Sequence, residues 1–364
     1  MTGTLVFENL KHKPMRSLLS ILLIGVPVTL ILTLVGLSHG MLEDTAHRTS
    51  GIGADIIVRP PGSTLLTLSG GIDDKIVDWF PKQPHITMAM GVVNQLVQGV
   101  TLGATGIDLE KFNKMSGGFT YLHGGPFQGP DDVLIDEWYA NQKNAHVGSY
   151  VEIFGKPWRV SGIIASGKLA RIVFPLDVLQ RLSSNVGKVS QIYLKVDNPK
   201  NINTVVQELK SRLPAYSIYS SEELVSMYNP SNIPALREFT IVIMAIGVLI
   251  GFAVVCLSMY MAVLQRTREI GILKSLGSSN GFILRIILAE ALLLGVGGTI
   301  LGIIMSYIAH WLLVTLVPAS FPMAIVPIWW PIAGGITIGG ALLGALYPGL
   351  SAARHDPIEA LAYE

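Results

Sequence analysis

Charge is scarce in this chain: Asp, Glu, Lys and Arg make up 14% of its 364 residues, against about a quarter in ordinary soluble domains. The 26 Lys and Arg nearly cancel the 25 Asp and Glu, for a net charge of +1 with His neutral. No global field therefore draws the chain to nucleic acid or to a strongly acidic substrate. Cys256 is the single cysteine, which excludes an intramolecular disulfide and a Cys-rich metal site. Also missing are a G-x-S-x-G elbow, an H-E-x-x-H pair, a C-x-x-C pair and paired intramembrane acids, so an intramembrane hydrolase is disfavoured. No repeat at a fixed period and no low-complexity tract is present.

What is abundant is apolar residues, 50% of the total. Runs without Asp, Glu, Lys or Arg extend over Ser17 to Leu42, Phe239 to Gln265 and Ala291 to Ala353. A helix crosses a bilayer with about 20 apolar residues. The first two runs hold one span each, and the third holds two, with a turn near Pro318, Phe321, Pro322 and Pro327. The first run is expected to be a span rather than a cleaved secretory leader, because its apolar core from Leu18 to Leu37 exceeds the about 7 to 15 residues of a signal core. Lys11, Lys13 and Arg16 precede the first span, and Arg266, Arg268, Lys274 and Arg285 lie between the second and third. Val317 to Pro327 carries no Lys or Arg. That asymmetry predicts both termini and the Arg266 loop in the cytoplasm.

The segment Glu43 to Glu238 then lies outside, and it carries 18 of the 26 basic and 19 of the 25 acidic residues. It is long enough for its own core. Strand-like runs occur at Ala54 to Arg59, Val92 to Val97, Tyr150 to Phe154, Trp158 to Ile164 and Gln191 to Val196. Helix-like segments occur at Asp73 to Phe80, Asp136 to Asn144, Pro175 to Leu182 and Asn201 to Leu213. Gly and Pro cluster between Gly117 and Pro130, as a long loop or a junction between subdomains. The fold class is therefore an α-helical membrane domain of four transmembrane helices, with a mixed α/β extracytoplasmic domain inserted between the first and second.

The expected division is an N-terminal cytoplasmic or interfacial segment 1–16, a first span with stalk 17–42, the outer domain 43–236 and a second span with stalk 237–265. An inner loop 266–285 follows, then a third span 286–317, an outer turn 318–327, a fourth span 328–350 and a cytoplasmic tail 351–364. Ala235 to Gln265 contains no Pro and only two Gly, so one helix of roughly 46 Å can pass through the membrane and beyond it as a stiff stalk. In the inner loop, Ile270, Leu273 and Leu276 recur three apart and Gly277 offers a stop, which predicts a short interfacial helix. Such a helix is either a tight turn whose charges satisfy the orientation rule, or a face that docks on a soluble partner. Glu290, about a turn from Arg285, is read as an ion-pair partner that orients this loop. His39 and His310 have no second ligand at metal spacing and are read as packing residues, and Trp329 and Trp330 as an interfacial belt. Asp356-Pro357-Ile358-Glu359 reads as a capped helix start.

The stretch Arg266 to Gly277 continues through Ile286-Ile287-Leu288-Ala289-Glu290-Ala291-Leu292-Leu293-Leu294-Gly295. Together with the tail Tyr347-Pro348-Gly349-Leu350-Ser351-Ala352-Ala353-Arg354-His355-Asp356-Pro357 it resembles the FtsX-domain permeases of MacB-type ABC transporters. Asn9, Arg16-Ser17-Leu18-Leu19 and Gly53-Ala54-Asp55-Ile56-Ile57-Val58 fit that family's N-terminal pattern, whereas Gly62 to Pro130 matches weakly. The resemblance implies a homodimer of four-span subunits driven by a cytoplasmic ABC ATPase, with stalks that pass motion outward, an arrangement called mechanotransmission. Arg266 to Gly277 would be the coupling helix: Arg268 and Glu269 as charged contacts, Ile270 and Leu273 as anchors, Arg266, Lys274, Leu276 and Gly277 completing it, and Arg285 and Glu290 in support. A MacB protein proper has a fused ATPase. Here no G-x-x-x-x-G-K-[ST] loop occurs, since the Gly-Lys pairs at Gly155, Gly167 and Gly187 are followed by Pro157, Leu169 and Val189. The resemblance thus points to a stand-alone, DevC-like, non-catalytic subunit of the bacterial inner membrane, with no cofactor or metal of its own and ATP and Mg²⁺ on a partner chain. A periplasmic adaptor and an outer-membrane channel for efflux are the further partners it implies. FtsX-like signalling to cell-wall enzymes and lipid or lipoprotein extrusion are the alternatives within the family.

Overall fold

The computed structural model describes residues 14–64, 70–98, 102–229, 232–265, 267–317, 319 and 321–354. Asn9, Lys11, Lys13, Arg266, Pro318 and the Asp356 motif lie outside the described residues, as do the side chains of Arg16 and Arg268. The chain divides into two compact units, one of residues 1–38, 234–312 and 323–364 and one of residues 39–233 and 313–322.

The strands are, in chain order, β1 (Ile56–Arg59), β2 (Ile72–Asp73), β3 (Ile86–Gln98), β4 (Leu102–Ile107), β5 (Tyr121–Gly124), β6 (Asp132–Asp136), β7 (Tyr150–Ile153), β8 (Lys156–Ile164), β9 (Ile172–Pro175), β10 (Lys188–Val189), β11 (Gln191–Val196) and β12 (Ser217–Ser220). The helices are α1 (Pro14–Ser50), α2 (Leu109–Ser116), α3 (Glu137–Lys143), α4 (Leu176–Leu182), α5 (Ile202–Arg212), α6 (Ser221–Met227), α7 (Pro234–Gln265), α8 (Thr267–Ser275), α9 (Asn280–Leu316) and α10 (Trp329–Arg354). Of these, α1, α7, α9 and α10 are long and apolar enough to cross a membrane. They extend past the charge-free runs because a helix, once formed, continues until its backbone is capped or broken. Pro27 sits inside α1, and residues 38 and 39, where the two units divide, also fall within it.

In the second unit, called the outer unit after its expected placement, ten strands form one mixed sheet in the order β12-β1-β11-β3-β4-β9-β6-β8-β5, with β7 on β8. Its two halves share β3, which pairs antiparallel with β11 from Ile86 to Val92 and with β4 from Val93 to Gln98. The subdomain junction is therefore this strand. Gly117 to Pro130 is instead a segment in which β5 pairs with β8. Gly91 sits where β3 changes partner, and a Cβ there would lie 2.7 Å from Val189 Cγ1, so only glycine lets β10 approach. One half-sheet packs β1, β11 and β12 with α5 around Phe80, Ile192, Leu194 and Val206. The other packs β4, β6, β8 and β9 with α3 and α4 around Tyr139, Trp158, Phe174 and Leu179. Strand sites read from β-branched runs are recovered at β1, β3, β7, β8 and β11. The pairs β4–β9 and β6–β8 are parallel, and parallel register is set by crossover connections that no local pattern reveals.

In the membrane unit, α1 and α9 cross closely. A Cβ on Gly298 would meet Ile24 Cγ2 at 2.4 Å, and one on Gly302 would meet Val28 Cβ at 2.5 Å. The Thr29 hydroxyl donates to the Gly25 carbonyl at 2.9 Å and to the Gly302 carbonyl at 3.2 Å. Small residues permit such approach where apolar solvent offers no hydrophobic drive and packing supplies the attraction. Gly344 on α10 plays the same part against α7, its Cβ position lying 2.5 Å from the Phe252 carbonyl oxygen.

Candidate coupling site

The loop between the second and third long helices folds as α8, closed by Gly277 in the left-handed region at φ 93°. The Gly277 amide donates to Lys274 O at 3.0 Å and the Ser278 amide to Leu273 O at 3.0 Å, the pattern of a left-handed helix end. Glycine takes that φ without the steric cost a Cβ would carry.

The residues of α8 separate by face. Ile270 packs on the core formed by α7, α9 and α10. Leu273 lines a cavity of about 130 Å³ together with Met259, Val263, Ile283, Ile287 and Glu290. The outward face instead carries Ile272, 45% exposed, and Leu276, 79% exposed. These two are four apart and so lie one above the other on a helix. The three-residue spacing of Ile270, Leu273 and Leu276 suggests a single stripe, but at about 100° per residue the first two turn inward and the third does not. Ile272 is thus an exposed apolar residue that the spacing missed. Its signal is the i, i+4 relation to Leu276.

Lys274 is a structural tie: its Nζ donates to the Ala353 carbonyl at 2.8 Å, within the last turn of α10. A cation there satisfies a helix end and complements its dipole. Glu269 is exposed. Among the described residues, Arg285 and Glu290 form no ion pair with each other. Five residues of α9 separate them, roughly 140° around a helix, and Arg285 is exposed whereas Glu290 is buried on the wall of the cavity. Arg285 thus faces out and Glu290 faces the core.

In the outer unit a second constellation forms at the end of α1. Arg48 Nε donates to Asp44 Oδ2 at 2.9 Å, its Nη2 to Asp136 Oδ2 at 2.9 Å and its Nη1 to the Leu169 carbonyl at 3.2 Å. Arg171 Nη2 and Nη1 donate to the same two carboxylates at 3.0 and 3.1 Å. Asp136 also caps α3, its Oδ1 accepting from the Tyr139 amide at 2.8 Å. Both guanidiniums and Asp136 are buried. Two cations and two anions in alternation satisfy one another in a low dielectric, and they bind the last turns of α1 to β6, α3 and β9. Of these four residues, only Asp136 had a local signal, as a helix cap. Asp44 and Arg171 are 127 positions apart, and no local pattern joins them.

Residues 17–212 match the family model of the MacB-like periplasmic core domain, and residues 241–357 match that of the FtsX-like permease C-terminal region. The chain is 25% identical over 398 residues to the ABC transporter permease MJ1507 of Methanocaldococcus jannaschii, an alignment covering 99% of this chain and 97% of that one. It is 31% identical over 229 residues to the ABC transporter permease YknZ of Bacillus subtilis, covering 60% of this chain and 55% of that one. Identity to the macrolide export ATP-binding/permease protein MacB of Sodalis glossinidius is 24% over 389 residues, covering 96% of this chain but 58% of that protein's length. The crystal structure of the extracellular domain of the noncanonic ABC-type transporter YknZ from Gram-positive bacteria aligns with TM-score 0.35 and 14% identity, over 46% of this chain and 98% of that one.

Proposed function

Because the chain belongs to the MacB-type permeases, with a MacB-like periplasmic core domain over residues 17–212 and an FtsX-like permease region over residues 241–357, we propose that it transmits the work of a separate ATPase subunit to its outer unit. The multi-pass membrane unit sits in the cytoplasmic membrane with the α8 loop and both termini inside and the outer unit outside. ATP and Mg²⁺ bind the partner, and this chain, as a homodimer, supplies no catalytic group. One observation carries the reading: α8 turns Ile270 and Leu273, both half-buried, toward its neighbouring helices while holding Ile272 and Leu276 outward. An exposed apolar pair on a braced helix is the form of a surface that docks into a groove of a soluble protein.

At the other end, α1 runs for 37 residues without a break, roughly 55 Å, well beyond the ~30 Å of a hydrocarbon core. Its last turns are held by the Asp44, Arg48, Asp136 and Arg171 cluster. A stiff rod fixed at its end moves what it is fixed to. Export through an adaptor and an outer duct is the use we favour over signalling to cell-wall enzymes, since the outer unit is a ten-stranded sheet with three large cores, a scaffold able to hold a cargo path.

The test is Leu276→Asp. The side chain is 79% exposed, so folding is untouched, whereas a buried carboxylate at the centre of an interface costs about 2 kcal/mol or more, roughly a thirtyfold loss of affinity. Wild-type protein purified from native membranes should bring an ATP-hydrolysing partner with it, and the variant should lose that partner while keeping the wild-type melting temperature. Equal retention of the ATPase by both proteins refutes this docking face.

A further inference from the structure

Arg59, the last residue of β1, is 5% exposed, and its Nε is fully buried without a hydrogen-bond acceptor. Among the described residues its guanidinium makes no ion pair or hydrogen bond at all. The undescribed stretches of the outer unit cannot supply the missing anion, since residues 65–69, 99–101 and 230–231 contain neither Asp nor Glu. A buried donor left unsatisfied is costly, and a folded chain keeps one where something outside completes it.

The surroundings are built to accept oxygen. On β1, Ile57 and Arg59 share a face, and Ile57 stands opposite Tyr193 of β11 and Tyr219 of β12. Burial pushes the phenols of Tyr193 and Tyr228 above their ordinary range, the Tyr228 charge adds to the rise at Tyr193, and the nearby Arg59 charge draws both back. Both therefore remain protonated at neutral pH and stay hydrogen-bond donors. The Tyr193 oxygen already accepts from Gln191 Nε2, so its own proton points to another acceptor. Tyr228 is tied to Thr49 on the last turn of α1. Tyr228, Gln191 and Thr49 are only half-buried.

We infer that Arg59, Tyr193 and Tyr228 form a receptor for an external oxyanion, a carboxylate or a phosphate. The guanidinium fork supplies charge and two parallel donors, and the phenols supply neutral donors that add no repulsion. Because Thr49 is hydrogen-bonded to Tyr228, occupancy would bear on the last turn of α1. The inference is independent of the ATPase-docking reading, since its residues all lie in the outer unit.

The full-length protein in phosphatidylcholine nanodiscs tests it, with inorganic phosphate and acetate as probes at constant ionic strength and neutral pH. Wild type should gain thermal stability with at least one probe in a saturable manner, and phosphate alone or acetate alone identifies the chemistry. Arg59→Met should lose that gain, and Arg59→Lys should bind at least about tenfold more weakly, because a point charge cannot replace the fork. Equal stabilisation of wild type and Arg59→Met reports only general salt exclusion and overturns the site, as does no response of wild type to either probe. Should Arg59→Met fail to fold, equilibrium dialysis of the effective probe with wild type and Arg59→Lys decides: equal affinity overturns the site.

Discussion

Asp136→Ala is expected to destabilise the outer unit by about 3 to 5 kcal/mol. The wild-type carboxylate is 1% exposed and accepts from Arg48, Arg171 and the Tyr139 amide. Without it, two buried guanidiniums share the single carboxylate of Asp44, which is 29% exposed at its side chain. The excess positive charge is then left in a region of low dielectric, and removing one partner of a buried pair costs more than removing the whole group. Loss of the α3 cap adds about 1 kcal/mol. Asp136→Asn separates the two effects, because its amide oxygen can still accept from Tyr139 while the charge is gone. Amide hydrogen exchange on the full chain reads the result locally: faster exchange is expected in α3 and in the last turns of α1 for both variants, with α3 better protected in Asp136→Asn. If the global unfolding free energy of Asp136→Ala falls by less than about 1 kcal/mol, the cluster is not what fixes the end of α1.

Gly302→Leu should disrupt the membrane unit in a different way. Even a Cβ at this position would sit 2.5 Å from Val28 Cβ and 2.8 Å from the Gly25 carbonyl oxygen. Backbone cannot yield as a flexible side-chain tip can, so α1 must move away from α9. Val28 and Ile31, now 0% and 2% exposed, then lose their partners in the core they share with Ala333. Overpacking of this kind costs about 3 kcal/mol, and no hydrophobic effect within lipid drives the helices back together. The control is Gly335→Leu on α10, where an added Cβ meets nothing within 4 Å. In the same nanodiscs, Gly302→Leu should unfold at clearly lower temperature than wild type and Gly335→Leu should not. Matching behaviour of the two variants would show that the α1–α9 approach contributes no special stability.

Much of the architecture was legible because it depends on local composition. A run such as Phe239 to Gln265 without an ionic group partitions into lipid whatever its neighbours are, and the four long helices appear where such runs lie. Pro214 marks a helix end through its own backbone preference, and α5 stops just before it, whereas Asn201, read as a cap, is itself helical and donates its side-chain amide to Asp197 Oδ1 at 2.9 Å. The resemblance of the Arg266 and Tyr347 segments to MacB-type permeases was likewise carried by contiguous residues, and the family models match over those same regions.

Direction and distant partnership were decided only by the tertiary structure. Spacing put Ile270, Leu273 and Leu276 in one series, but which side of α8 meets α7 and α9 depends on how those helices cross, and packing turned Ile270 and Leu273 inward and left Ile272 and Leu276 outside. Arg285 and Glu290 read as a pair from proximity along the chain, yet the turn of α9 sends them to opposite sides. Arg48 and Asp136 are 88 positions apart. Their ion pair exists because sheet topology brings β6 beside the end of α1. Charge and hydropathy are properties each segment carries with it, whereas burial, pairing and facing belong to contacts between segments, which exist only once the chain has folded.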